Sequence, residues 1–155
     1  MLSGSNVTFE RRFVNGRAQN QTTSGQSTTK LFEAIDDENL GDFERALAEG
    51  ANVNAFDKGY TPLMTIIMNG DDSPTHLKMM TLLLQHQSLK INAQETKENN
   101  TALHLALRME NRNFVQILLR HTGLNVNIKN IHRIDFQGNF SHTPEEYIRK
   151  IGQVL

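Results

Sequence analysis

The chain contains no cysteine, which excludes disulfide bonds, a thiolate zinc site and a cysteine nucleophile and is compatible with an intracellular location. It also lacks any apolar run close to the roughly 20 residues that a membrane helix needs, and any N-terminal run typical of a signal peptide. Its formal net charge is only -1, which does not favour a nucleic acid partner. We therefore expect no nucleic acid and no membrane among its partners, and a cytoplasmic or nuclear location.

Motifs that carry enzyme chemistry are also missing. The sequence has no glycine-rich phosphate loop, no Gly-x-Ser-x-Gly, no His-Glu-x-x-His and no calcium-binding loop. The carboxylate pairs Asp71-Asp72 and Glu145-Glu146 are explained as turn and helix-cap residues. His132 and His142 have no cysteine partner and form a weak metal motif. We expect no enzyme activity, no catalytic residue, no metal and no cofactor.

The clearest pattern that is present runs from Thr101 to Asn127. The threonine can cap a first short helix, and a second short helix follows it before an extended exit. Each helix carries apolar residues at i, i+3 and i+4, namely Leu103, Ala106 and Leu107 in the first and Phe114, Ile117 and Leu118 in the second. Neither helix could bury such a stripe alone, so neighbouring copies are expected.

Copies of this unit recur at intervals of about 40 residues, the spacing of a solenoid. The opening recurs as Thr61-Pro62-Leu63 and Thr143-Pro144, and the exit recurs as Asn52-Val53-Asn54, Lys90-Ile91-Asn92 and Asn125-Val126-Asn127. Together with Thr101-Ala102-Leu103-His104, these residues resemble the ankyrin repeat from Lys30 to Leu155. The resemblance implies an all-α solenoid of helix-turn-helix units with projecting β-turn fingers, the last of them extended. It also implies that His104 hydrogen-bonds beside the opening threonine.

The same pattern sets the domain boundaries. Residues 1–29, rich in Ser, Thr, Asn and Gln after Ala18, are expected to be a flexible polar arm, or one that docks on the repeats or a partner through Phe9 and Phe13. Residues 30–155 are expected to form the repeat domain. Its four units, the last one incomplete, are predicted at about 30–54, 55–92, 93–127 and 128–155.

Several local features are predicted within the units. In the first, the acidic triplet Asp36-Asp37-Glu38 is expected to favour the positive end of the following helix rather than to bind a metal. In the second, a longer loop between the helices is expected to end with Ser73 as N-cap and Pro74 as the first helical residue. In the third, Gly123 is expected to end the second helix, and Asn99 to adopt the left-handed conformation in the finger.

The resemblance places the partner surface on the fingers and the exposed sides of the first helices. Carrying the family's variable contact positions over gives Lys58, Tyr60, Met68, Asn69, Glu98, Asn100, Arg108, Met109, His142 and Lys150. Because aromatic residues, Met and Arg are enriched at interface centres, Tyr60, Met68, Arg108 and Met109 are expected to contribute most. The extended last finger adds Phe136 and Phe140, which either cover the end of the stack or form a recognition loop.

The function expected from these features is a protein–protein interaction module: an adaptor, an inhibitor or a targeting scaffold. Two alternatives stay open. The chain could be the targeting part of a larger protein, or of an effector that a bacterium or virus delivers into a host cell. It could also be a self-assembling structural protein, although a monomer is the expectation, because an unfinished C-terminal edge or the N-terminal arm could join copies.

Overall fold

The computed structural model describes residues 16–131 and the side chains of residues 24–131. Within this range the chain forms helices joined by turns, and its only strand pairings are two isolated antiparallel bridges, Asp57 with Tyr60 and Gln94 with Thr101. The helices are α1 (Gly16–Asp36), α2 (Leu40–Ala48), α3 (Pro62–Asn69), α4 (Pro74–Leu84), α5 (Ala102–Arg108) and α6 (Arg112–Leu119). None of them is both long and apolar enough to cross a membrane.

The helix starts follow the sequence signals. Thr61, Ser73 and Thr101 each accept a hydrogen bond from the amide three residues later, which satisfies one of the unpaired donors of the first turn. A proline occupies the first position of both α3 and α4, where its missing N–H is not needed. The predicted roles of Ser73 and Pro74 are therefore confirmed.

The helices pack in two rows around one continuous apolar core. The first helices contact one another in succession, α1 with α3 and α3 with α5, while α2 contacts α4 in the other row. Of the predicted stripe residues, Leu103, Ala106, Leu107, Phe114 and Leu118 are buried in this core. Leu31, Phe43, Ile66 and Met80 from the earlier helices are fully buried in it as well. This arrangement confirms the predicted all-α solenoid, because each pair of helices buries its stripes against its neighbours.

Helix α1 begins earlier than the sequence predicted. It starts at Gly16, so the boundary predicted after residue 29 falls inside it. The Ser27 hydroxyl, fully buried, donates to Glu49 Oε2 at 3.0 Å, and the amide of Asn52 donates to Thr28 Oγ1 at 2.8 Å. Polar side chains of residues 24–29 thus hydrogen-bond to the first repeat. Phe9 and Phe13 lie outside the described residues.

The repeated asparagines join consecutive units. The Asn54 side chain donates to the carbonyl of Ser88 at 2.7 Å and accepts from the amide of Lys90 at 2.8 Å. Asn92 does the same one repeat later, donating to Gly123 O at 2.8 Å and accepting from Asn125 N at 2.8 Å. The exit motif is therefore a hydrogen-bonded connection between repeats as well as a chain exit.

Two local predictions are wrong. The acidic triplet does not cap α2, because the side chain of Asn39 is its N-cap and Asp36 is the last residue of α1. Glu38 lies in the turn between the helices, directly before this N-cap, with φ of 51°. Gly123 does not end α6 either, because that helix already ends at Leu119, and the amide of Gly123 donates to His121 Nδ1 at 3.1 Å.

Candidate functional site

Finger 1, residues 55–60, is a tight hairpin turn. Asp57 and Tyr60 exchange two backbone hydrogen bonds, both 2.9 Å long. The two residues between them, Lys58 and Gly59, have φ of 51° and 94°, and two positive values in succession are what a type I′ turn requires. A Cβ atom at Gly59 would overlap the hydroxyl of Thr96, so glycine also permits the next finger to approach closely.

Finger 2, residues 93–100, is organised around the carboxylate of Glu95, which is only 2% exposed. It accepts from the amide of Lys97 at 2.6 Å, from that of Glu98 at 2.9 Å and from that of Asn100 at 3.1 Å, and from Asn100 Nδ2 at 3.1 Å. Asn99 has φ of 57°, as predicted. One side chain thus satisfies three backbone amides of the loop.

The charge on Glu95 is stabilised by these donors. Burial disfavours the ionised form and is the largest single influence on its pKa. The amides of Lys97, Asn100 and Glu98 and the Asn100 side chain together outweigh it, so the pKa of Glu95 is lowered. The finger is therefore held by an ionised carboxylate at neutral pH.

The fingers lie side by side and form a continuous edge. The amide of Thr96 donates to the carbonyl of Gly59 at 3.2 Å, and the amide of Ile131 donates to that of Glu98 at 2.9 Å. Gln94 Nε2 donates to Lys129 O at 3.1 Å. Because backbone bonds fix each finger against the next, this edge is preorganised.

The predicted contact residues of the second repeat lie in different surroundings. Lys58 is exposed at the tip of finger 1, whereas Tyr60 and Met68 are half-buried and pack against the core. Asn69 is exposed at the end of α3, where its Nδ2 donates to Asp36 Oδ1 at 2.8 Å. Lys58 is thus fully available to a partner and the other three residues are available in part.

In the third repeat, finger 2 and helix α5 are joined by an ion pair. Arg108 Nη1 lies 3.1 Å from Glu98 Oε2, with side chains 51% and 42% exposed. Met109, just after α5, is 43% exposed. Asn100 is only 4% exposed, and its amide group bonds Glu95, Glu98 and Asn130. Asn100 was predicted as a contact residue, but in this conformation its burial within the finger network removes it from the accessible surface.

Phe136, Phe140, His142 and Lys150 lie outside the described residues. Sequence reasoning did not select Phe56, which is 50% exposed in finger 1, or Ile131, which is 52% exposed. An aromatic residue in a short polar finger is the signal that could have identified Phe56. His104, in contrast, is confirmed as structural, because its Nδ1 accepts from Thr101 N at 3.1 Å within a capping box.

Paired helices in two rows, with turns that project as an ordered edge, define a helical-repeat protein. The model of the family described as ankyrin repeats, in three copies, matches residues 31–130. The chain belongs to the ankyrin repeat family. No curated protein matches it. Ankyrin repeats are generally protein–protein interaction modules, and the family is typically non-enzymatic.

Proposed function

We propose that this chain is a non-enzymatic adaptor that binds another protein through fingers 1 and 2 and the exposed ends of α3 and α5. The observation that carries the proposal is the position of the large hydrophobic side chains exposed between residues 24 and 131. They are Phe56 in finger 1, Met109 after α5, and Ile131, whose amide bonds finger 2. Exposed apolar side chains beside a polar rim are typical of an interface centre.

The polar groups on the same elements suit recognition. Arg108 is held by Glu98 but stays half exposed, and an exposed pair of this kind adds little to stability. The arginine can therefore exchange this partner for a carboxylate on another protein at small cost. Lys58, which is exposed in finger 1, is a second cation on the proposed surface besides Arg108. We expect the partner to present an apolar patch flanked by acidic groups.

We further propose that this interaction takes place inside a cell. The absence of cysteine from the sequence supports that location, because proteins of reducing compartments rarely contain disulfide bonds. Expression of a tagged chain followed by fractionation of the cells would test it. Recovery in a secreted fraction would contradict the proposal.

The experiment that tests the surface is affinity capture from cell lysate with mass spectrometry, using the whole chain as bait. A Phe56→Ala, Arg108→Ala double variant removes one apolar and one cationic group from the proposed surface. Because central interface residues cost about 2 kcal/mol or more when truncated, we expect recovery of the bound protein to fall at least tenfold.

A Lys78→Ala, Arg120→Ala variant is the matched control, since both residues are exposed but lie on or directly after the second helices α4 and α6. It should retain the partner. Equal capture by both variants would contradict the proposed surface, provided circular dichroism shows that both are folded. If an untagged copy of the chain is also present in the lysate, its recovery with the bait reports self-association in the same measurement.

A further inference from the structure

A separate cluster of polar side chains joins the first two repeats. It brings together Glu38 in the turn between α1 and α2, Asp71 in the loop between α3 and α4, and His76 in the first turn of α4. His76 Nδ1 lies 3.4 Å from Glu38 Oε1 and 3.2 Å from Asp71 Oδ1. The loop that carries Asp71 is the one that the sequence shows to be longer than its counterpart in the third repeat.

The imidazole is held rigidly in this cluster. His76 is 2% exposed, and its own amide donates to the N-cap hydroxyl of Ser73 at 3.2 Å. The two carboxylates are different, with side chains 45% exposed for Glu38 and 73% exposed for Asp71. The cluster is therefore a fixed buried nitrogen facing two carboxylates that can rotate from the solvent side.

His76 Nδ1 has more oxygen neighbours than a single ring proton can serve. Three oxygens surround Nδ1, since Ser73 Oγ also lies 3.0 Å from it, and a ring nitrogen carries at most one proton. The two carboxylates also place negative charge on either side of the imidazole, and such a group gains from a cation.

We propose that Glu38, Asp71 and His76 bind a zinc ion, with water in the fourth position. Zinc bonds to imidazole nitrogen and carboxylate oxygen are about 2.0–2.2 Å long, so neighbouring ligand atoms of a tetrahedral site lie about 3.3–3.5 Å apart. The 3.4 and 3.2 Å separations at Nδ1 are close to that spacing. All three donor atoms lie within 4.8 Å of one another. Rotation of an exposed carboxylate can shorten the remaining separation to the tetrahedral spacing.

The donor set selects the class of metal. One imidazole with two carboxylates suits zinc and similar first-row transition ions, whereas magnesium and calcium favour sites built from oxygen alone. An ion here would connect the turn of repeat 1 to the loop of repeat 2. It would therefore fix the longer loop on the solenoid, and it needs no partner protein to do so.

The test is isothermal titration of the whole chain, dialysed against a chelator, with zinc chloride at neutral pH. We expect one strong equivalent in the wild type. A Glu38→Gln, Asp71→Asn variant should bind zinc at least about 100-fold more weakly, because even the partners of metal ligands contribute about 10–100-fold to affinity. Magnesium chloride in the same titration should give no strong binding. Zinc should also raise the thermal unfolding midpoint of the wild type alone.

The control is His86→Gln, which replaces an exposed histidine of the same repeat whose ring bonds Ser88. It should bind zinc as the wild type does. Absence of a strong equivalent in the wild type overturns the proposal, and so does unchanged binding by the double carboxylate variant. The double carboxylate variant replaces two exposed side chains, so its fold can be verified in the absence of zinc. The zinc-binding result does not depend on the proposed partner surface.

Discussion

Glu95 shows what one residue contributes to the finger edge. Its carboxylate bonds backbone amides of the same loop, so hydrogen bonds within finger 2 hold its backbone in the absence of a partner. The sequence did not reveal this role, because Gln94 to Asn100 are all polar and any of them could have pointed outward. His104 and Asn99 were predictable, because a capping position and a left-handed turn each favour particular residues.

The pH dependence of stability tests the role of Glu95. Its folded-state pKa is lowered, so its ionised form stabilises the fold above the unfolded-state pKa of about 4.3, and this contribution is lost as the pH falls through the lower folded-state value. We expect Glu95→Gln to lower the free energy of unfolding by about 2 kcal/mol at pH 7, since hydrogen bonds to a charged group are replaced.

The difference from the wild type should shrink as urea titrations are repeated at successively lower pH below about 4, because the wild-type carboxylate becomes protonated as the pH falls through its lowered folded-state pKa. Glu44→Gln, an exposed position on α2, is the control and should stay within about 0.5 kcal/mol of the wild type at neutral pH. A difference for Glu95→Gln that is constant over this pH range would contradict the assignment.

At the scale of elements, helix α1 completes the first repeat. The later exits connect to the preceding repeat through Asn54 and Asn92, whereas the first exit connects to α1. There, the hydroxyl of Thr28 accepts the amide of Asn52 and itself donates to Ser24 O at 2.9 Å. Thr28 thus takes the acceptor role that Asn54 and Asn92 have at the later exits.

Two neighbouring threonines of α1 allow this role to be measured. Thr28→Ala leaves the amide of Asn52 without its acceptor and should lower the free energy of unfolding by about 1 kcal/mol. Thr29→Ala removes only a hydroxyl that bonds Gly25 O within the same helix, and should cost less than about 0.5 kcal/mol. Equal effects in chemical denaturation would show that the contact with the first exit does not stabilise the repeat.

At the scale of the molecule, stability depends on coupling between neighbouring repeats, because no helix pair buries its apolar stripe alone. The side chains of Asn54 and Asn92 cross the two junctions between repeats, and each makes one bond as donor and one as acceptor. The core and these connections should therefore act together in keeping the unfolding transition cooperative.

Asn92→Ala tests that coupling. It removes two bonds between the second and third repeats, so we expect a loss of about 1–2 kcal/mol and a broader urea transition as the third repeat unfolds more independently. The control is Asn125→Ala, whose side chain accepts from the amide of Asn127 at 2.9 Å and bonds no other described residue. This change should cost less than about 0.5 kcal/mol. A transition as steep as that of the wild type would argue against a role in coupling.

The sequence by itself determined the repeat spacing, the helix starts at Thr61, Ser73 and Thr101, and the stripes that became the core. It could do so because caps and helical periodicity depend on residues a few positions apart. Only the tertiary structure decided that Asn100 is buried, that Phe56 is exposed and that α1 begins before Lys30. It alone brought Glu38, Asp71 and His76 together. These outcomes depend on how separate elements pack, and contacts between distant parts of the chain leave no local pattern.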